Sequence, residues 1–221
     1  MVATAARRGF AASFMSVTST VYLLLITDFL MALTCLPVSV LLTMTDLRQS
    51  WLALVVVAPL LCASLTSVFA VFDKFADDGW NGIAKNYFRT WGSTAKRTLP
   101  IGLGYSVLGM VIGVDWAAFA GTDFGFFARP ILAVIAVLAI ATFPMVCLLM
   151  ASGFKGLQSI KVGVPLAVRR WQWTLLNLAV LTVFVSLVFA RPALVLLVAP
   201  SPVAYIVFGG IKYSLTRKNN E

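Results

Sequence analysis

The 221-residue chain contains no histidine, eight acidic residues against 17 Lys and Arg, and three cysteines, Cys35, Cys62 and Cys147. Each shortage removes a class of function. Without histidine, the usual zinc motifs and every Ser/His or Cys/His catalytic arrangement are excluded. An intramembrane aspartyl centre needs two facing carboxylates, yet only Asp28 lies deep in an apolar run, while Asp115 sits beside Trp116 at the end of another. The cysteines are scattered within apolar runs, where they behave as small hydrophobes and give neither a disulfide framework nor metal-ligand spacing. No metal or cofactor is expected, and the chain reads as a non-enzyme.

Charge is scarce as well: 11% of residues are charged and 61% hydrophobic, where a soluble domain averages roughly 25% and about 45 to 50%. No Pro/Gly/Ser-rich linker or low-complexity tract divides residues 1–221, so a single domain is expected. The apolar residues arrive in runs of roughly 18 or more with almost no charge, the pattern of transmembrane helices. Spans are predicted at about 17–44, 51–72, 98–118, 130–150, 173–190 and 192–211, each near the ~20 residues that cross ~30 Å of hydrocarbon. The first is long enough to tilt or break. A barrel would show alternating segments of ~10 residues, which these continuous runs do not. The fold class is therefore an all-α, polytopic membrane bundle of about six helices.

Lys and Arg set the orientation. Fourteen of them fall at the N-terminus (Arg7, Arg8), in the second loop (Lys74, Lys85, Arg89, Lys96, Arg97), in the fourth (Lys155, Lys161, Arg169, Arg170) and at the C-terminus (Lys212, Arg217, Lys218). Arg48, Arg129 and Arg191 lie on the other side. Both termini are expected in the cytoplasm, in a bacterial inner membrane. The net charge of +9 is split among short segments between apolar runs and not gathered on one soluble face, so anionic lipid headgroups fit it better than nucleic acid. Trp51 and Trp116 mark outer boundaries, and Trp80, Trp91, Trp171 and Trp173 inner ones. Arg7-Arg8-Gly9-Phe10 is similar to a twin-arginine export signal, but the run after it is far too long and has no small-x-small cleavage site, which makes it an uncleaved span.

Between spans two and three an amphipathic helix is predicted over about 80–97. Trp80, Ile83, Ala84, Tyr87, Phe88, Trp91 and Ala95 recur at steps of three and four, with Asn81, Lys85, Asn86, Arg89 and Lys96 on the other face and Asp77 or Asp78 as its cap. It reads as a membrane-surface connector, with a docking helix for a cytoplasmic partner as the alternative. The fourth loop is a poorer copy, because Gly163 and Pro165 interrupt its Phe154, Leu157, Ile160, Val164 and Val168. In span three, Gly102, Ser106, Gly109 and Gly113 form a small-residue stripe, expected to pack against other spans, with homodimerisation as the alternative. Pro37, Pro59, Pro144, Pro200 and Pro202 should kink their spans. Asp28 is close to mid-bilayer, so it should face the bundle interior and find the hydroxyls of Thr27 or another span, Asn177, or a bound cation or substrate.

The order of Asp28, Leu36-Pro37, a second span, the segment Tyr87-Phe88-Arg89-Thr90-Trp91 and a third span resembles the YesL family of bacterial integral membrane proteins over residues 16–110. Where that family usually has asparagine, this chain has Asp28, and Val38-Ser39-Val40-Leu41 follows its proline. The resemblance implies an accessory role near carbohydrate uptake, with a sugar-transport component as partner and no catalytic residues to carry over. Three functions compete: first a non-enzymatic accessory or regulatory membrane protein, second a small proton- or cation-coupled transporter or channel with Asp28 in its path, and third an intramembrane enzyme.

Overall fold

The computed structural model describes residues 2–44, 53, 55–78, 82–122, 124–169, 171–190 and 199–216. Trp51, Arg48, Trp80, Asn81, Arg170, Arg191, the start of the predicted sixth span and the basic C-terminal Arg217 and Lys218 lie outside them, as do the side chains of Arg7, Arg8, Asp77, Asp78 and Trp173. Among the described residues the chain is entirely helical: α1 (Val2–Thr34), α2 (Leu36–Met44), α3 (Pro59–Asp78), α4 (Ile83–Ala118), α5 (Gly125–Ala151), α6 (Gly156–Arg169), α7 (Trp171–Ala190) and α8 (Pro200–Thr216). Among the described residues three helical stretches are long and apolar enough to cross a membrane, Val55–Phe75, Ile83–Ala118 and Gly125–Ala151; Thr18–Thr34 and Thr174–Phe184 are shorter apolar helices.

The predicted first span breaks at Cys35. Pro37 has no N–H to offer the carbonyl of Leu33 and its ring crowds that turn, so the helix is re-started just ahead of it. Hydrogen bonds bridge the break, from Cys35 N–H to Met31 O at 2.8 Å and from Ser39 N–H to Cys35 O at 2.9 Å. Proline elsewhere does less kinking than expected. Pro200 is the first residue of α8 and Pro202 lies in its first turn, where the missing N–H would have had no intrahelical acceptor, whereas Pro59 follows helical residues 55–57 and a turn at Ala58 and so interrupts the stretch Val55–Phe75. Of the five, only Pro144 sits well inside a helix.

The expected boundary between an interfacial helix and span three is corrected. Residues 83–118 form one 36-residue helix that continues through Pro100, about 54 Å long and so well beyond the ~30 Å of hydrocarbon. Its first half is packed into the protein. Ile83 and Tyr87 are buried, and Trp91 is partly buried against the same cluster. What the periodicity revealed was a helix with one apolar face; that this face meets α1 and α3 before it meets lipid is a tertiary fact.

The main core gathers Leu23 and Leu30 of α1, Phe69 and Phe72 of α3, Tyr87 of α4, Leu148 of α5 and Phe208 of α8. Phe72 meets Tyr205 edge-on at 5.3 Å and Phe208 at 5.8 Å, the geometry that ring quadrupoles favour. Lys212 near the end of α8 pairs with Asp73 near the end of α3 at 2.6 Å, so the two helices finish on the same side. At the far end of α4, the Arg129 guanidinium of α5 lies 5.6 Å from the Trp116 ring. The facing stretches of α4 and α5 leave Val107, Val111, Val114, Ile131 and Val134 exposed, the surface a bilayer covers without penalty.

Candidate functional site: a buried carboxylate and a knot of hydroxyls

Asp28 is 4% exposed and its carboxylate has a specific partner. Oδ1 accepts the backbone N–H of Ser201 at 2.7 Å, across 173 residues of chain. Ser201 is the second residue of α8, whose first turn has N–H groups without intrahelical acceptors. Asp28 thus does from α1 what an N-cap side chain usually does from its own helix. Sequence reasoning found the acid and the need for a partner. It missed the partner, because a backbone donor has no signature in side-chain identity.

The other predicted partners behave differently. The Thr27 hydroxyl turns back to Leu23 O at 2.8 Å. Asn177 of α7 is buried, but its Oδ1 has no hydrogen-bond partner among the described residues and so does not join Asp28 through that atom.

A second polar cluster went unforeseen. Thr34, the last residue of α1, has its hydroxyl 2.9 Å from Ser64 Oγ of α3 and 2.7 Å from Tyr87 Oη of α4. It also lies 3.0 Å from Leu30 O, to which it donates; Ser64 and Tyr87 then donate to its two lone pairs. Three helices are tied together one residue before the Cys35 break. Thr34 and Ser64 looked like ordinary small polar residues in apolar runs, and only the adjacent Leu36-Pro37 hinted that α1 ends there.

The residues proposed to dock at the membrane surface or to a partner are divided by the structure. Ile83 and Tyr87 face the core, while Lys85, Phe88 and Arg89 are exposed. The Trp91 Nε1 is buried without an acceptor.

Of the small-residue stripe only Gly102 makes a close approach. A Cβ there would lie 2.8 Å from Pro59 Cα and 2.9 Å from Cys62 Cβ, whereas Gly109 and Gly113 have nothing within 4 Å. Ser106 is half-buried and bonds back to Gly102 O at 2.8 Å. The expectation that all four pack internally is corrected for Gly109 and Gly113, where a Cβ would come within 4 Å of no described neighbour. Cys62 and Cys147, both fully buried, bring their sulfurs within 3.6 Å between α3 and α5. Tyr105 Oη and Thr142 Oγ1 join α4 to α5 at 3.1 Å.

Among the described residues no group of three or more His, Cys, Asp or Glu side chains converges to hold a metal ion. What the polar groups do is fasten helices: α1 to α8 through Asp28, and α1 to α3 and α4 through Thr34. Comparison of the chain with protein-family models, with curated proteins and with solved structures finds no match.

Proposed function

We propose that this chain is an accessory or regulatory integral membrane protein of the bacterial cytoplasmic membrane, working without catalysis and crossing the bilayer six times with both termini inside. One observation carries this reading. The ionisable group expected near mid-bilayer accepts the Ser201 N–H at 2.7 Å, which gives it a capping role that ties α1 to α8 with no substrate or coupling ion needed. The setting in carbohydrate uptake rests on the resemblance of residues 16–110 to the YesL family alone. Purification from native membranes tests the proposal: a membrane partner that co-purifies in fixed ratio is expected, and substrate flux in liposomes holding only this protein would replace it.

The second reading, a proton- or cation-coupled transporter or channel, is favoured by Asn177, a buried amide whose oxygen has no partner among the described residues. Asp28→Asn separates the two. An accessory role requires normal expression and activity from that variant, and coupling requires normal folding with lost activity or lost pH dependence.

A further inference from the structure

We propose that α6 is a lipid-surface helix, seated in the anionic headgroups of the leaflet where α5 ends. The proposal rests on the membrane reading above and goes beyond it by assigning the surface role to a segment that the sequence pattern seemed to disqualify. Gly163 and Pro165 do not break the helix, which runs unbroken over Gly156–Arg169. Gly163 is needed at a close contact: a Cβ there would meet Val146 Cγ2 at 3.2 Å and Leu149 Cδ1 at 3.4 Å.

Small residues at steps of four, Ser159, Gly163 and Ala167, form the buried face. They let α6 lie against Met145, Val146 and Leu149, all in the last two turns of α5. Large apolar residues point elsewhere. Leu157, Val164 and Val168, at steps of seven and four, are 75%, 39% and 57% exposed and form one ridge beside the protein contact, while Val162, 43% exposed, lies apart from it next to Arg169. The adjoining arc carries Lys161, Gln158 and Arg169, and Lys155 precedes the helix; all are exposed.

Three arguments fix the occupant as lipid. At 14 residues, about 21 Å, α6 is too short to cross ~30 Å of hydrocarbon. Gly163, midway along α6, meets α5 at Met145, Val146 and Leu149, two to six residues from the helix end at Ala151, which is a depth of about 3–9 Å and overlaps the ~5–10 Å at which surface helices sit. Finally, residues 124–220 contain no Asp or Glu, so neither α6 nor the helices on either side of it in sequence can neutralise its cations. An apolar ridge held at that depth beside cations that these three helices do not neutralise complements acyl chains below and lipid phosphates above.

The test uses the full chain in vesicles of phosphatidylcholine and phosphatidylglycerol. Nitroxides are placed at Leu157→Cys, Val164→Cys, Gln158→Cys, Lys161→Cys and Val134→Cys in a background with Cys35, Cys62 and Cys147 replaced by serine. Labels at 157 and 164 should collide mainly with oxygen, as at 134 but at shallower depth, and those at 158 and 161 mainly with an aqueous nickel chelate. If 134 reports hydrocarbon while 157 and 164 report water, the inference fails and the membrane reading stands. If 134 itself reports water, both fall. A measurement on the chain with its cysteines intact covers the case in which the serine background does not fold. There, Lys155→Gln, Lys161→Gln and Arg169→Gln together should lower the preference for spin-labelled phosphatidylglycerol over phosphatidylcholine by about two- to fivefold at low salt. An unchanged preference would overturn the headgroup assignment.

Discussion

Asp28 accepts the Ser201 N–H through an oxygen that an amide also has. Asp28→Asn should therefore keep the cap and alter stability by no more than a few tenths of a kcal/mol, roughly the spread among good capping residues. Asp28→Leu strands the Ser201 N–H in a buried site and should cost about 1–3 kcal/mol, read from unfolding in mixed micelles. An Asp28→Asn variant as unstable as Asp28→Leu would show that the negative charge, and not the acceptor, holds α8. The glycines of α4 make a second residue-scale contrast. Gly102→Ala drives a methyl against the Pro59 backbone and should destabilise by about 1–3 kcal/mol. Gly109→Ala and Gly113→Ala meet open space and should be neutral or stabilising by up to ~1 kcal/mol. Destabilisation by either of the latter, measured in the same assay, would mean that another helix covers that stripe.

At the scale of the element, α4 is where sequence pattern and packing diverge. Its Tyr87 is fully buried and bonded to Thr34, while the neighbouring Phe88 is 44% exposed. Tyr87→Phe removes one hydrogen bond and should cost about 1 kcal/mol, and Tyr87→Ala adds a cavity for about 3–5 kcal/mol in all. Phe88→Ala should cost much less than Tyr87→Ala, since its ring fills no core space. Equal losses at the two positions in thermal unfolding would restore the lipid-facing placement of this segment. The helix itself was legible from its steps of three and four. Which of two adjacent aromatic residues would turn inward was not, because both lie near the same face and only Thr34 and Ser64, far away in sequence, distinguish them.

At the scale of the whole molecule, the ion pair Lys212–Asp73 joins the ends of α3 and α8, and Arg129 stacks on Trp116 at the junction of α4 and α5. Each pair joins ends that the fourteen-to-three division of Lys and Arg also puts together. A reporter fused after Ala84 or at the C-terminus should accordingly register cytoplasm, and one near Gln49 or Thr122 the outside. Alkaline phosphatase and fluorescent-protein fusions check this directly, and the opposite pattern would invert the molecule. The alternation of basic and neutral connections was readable because it is a property of composition along the chain. The pairing of ends needed coordinates.

By itself the sequence determined that this chain is helical, with stretches long and apolar enough to cross a bilayer: long apolar runs without charge leave helices as the economical way to satisfy the backbone. It also located Asp28 as the acid that must be buried with a partner. Only the tertiary structure decided that the partner is a backbone N–H of α8, that Tyr87 closes a knot with Thr34 and Ser64, and that the Gly163 segment is the helix with its apolar ridge turned outward. The reason is common to all three. Hydropathy and periodicity record how apolar a helix face is, which is a local quantity, whereas its choice between protein and lipid depends on which distant surface can approach it. In this fold glycines on different helices settle that choice: Gly102 draws α4 against α3, and Gly163 lays α6 on α5.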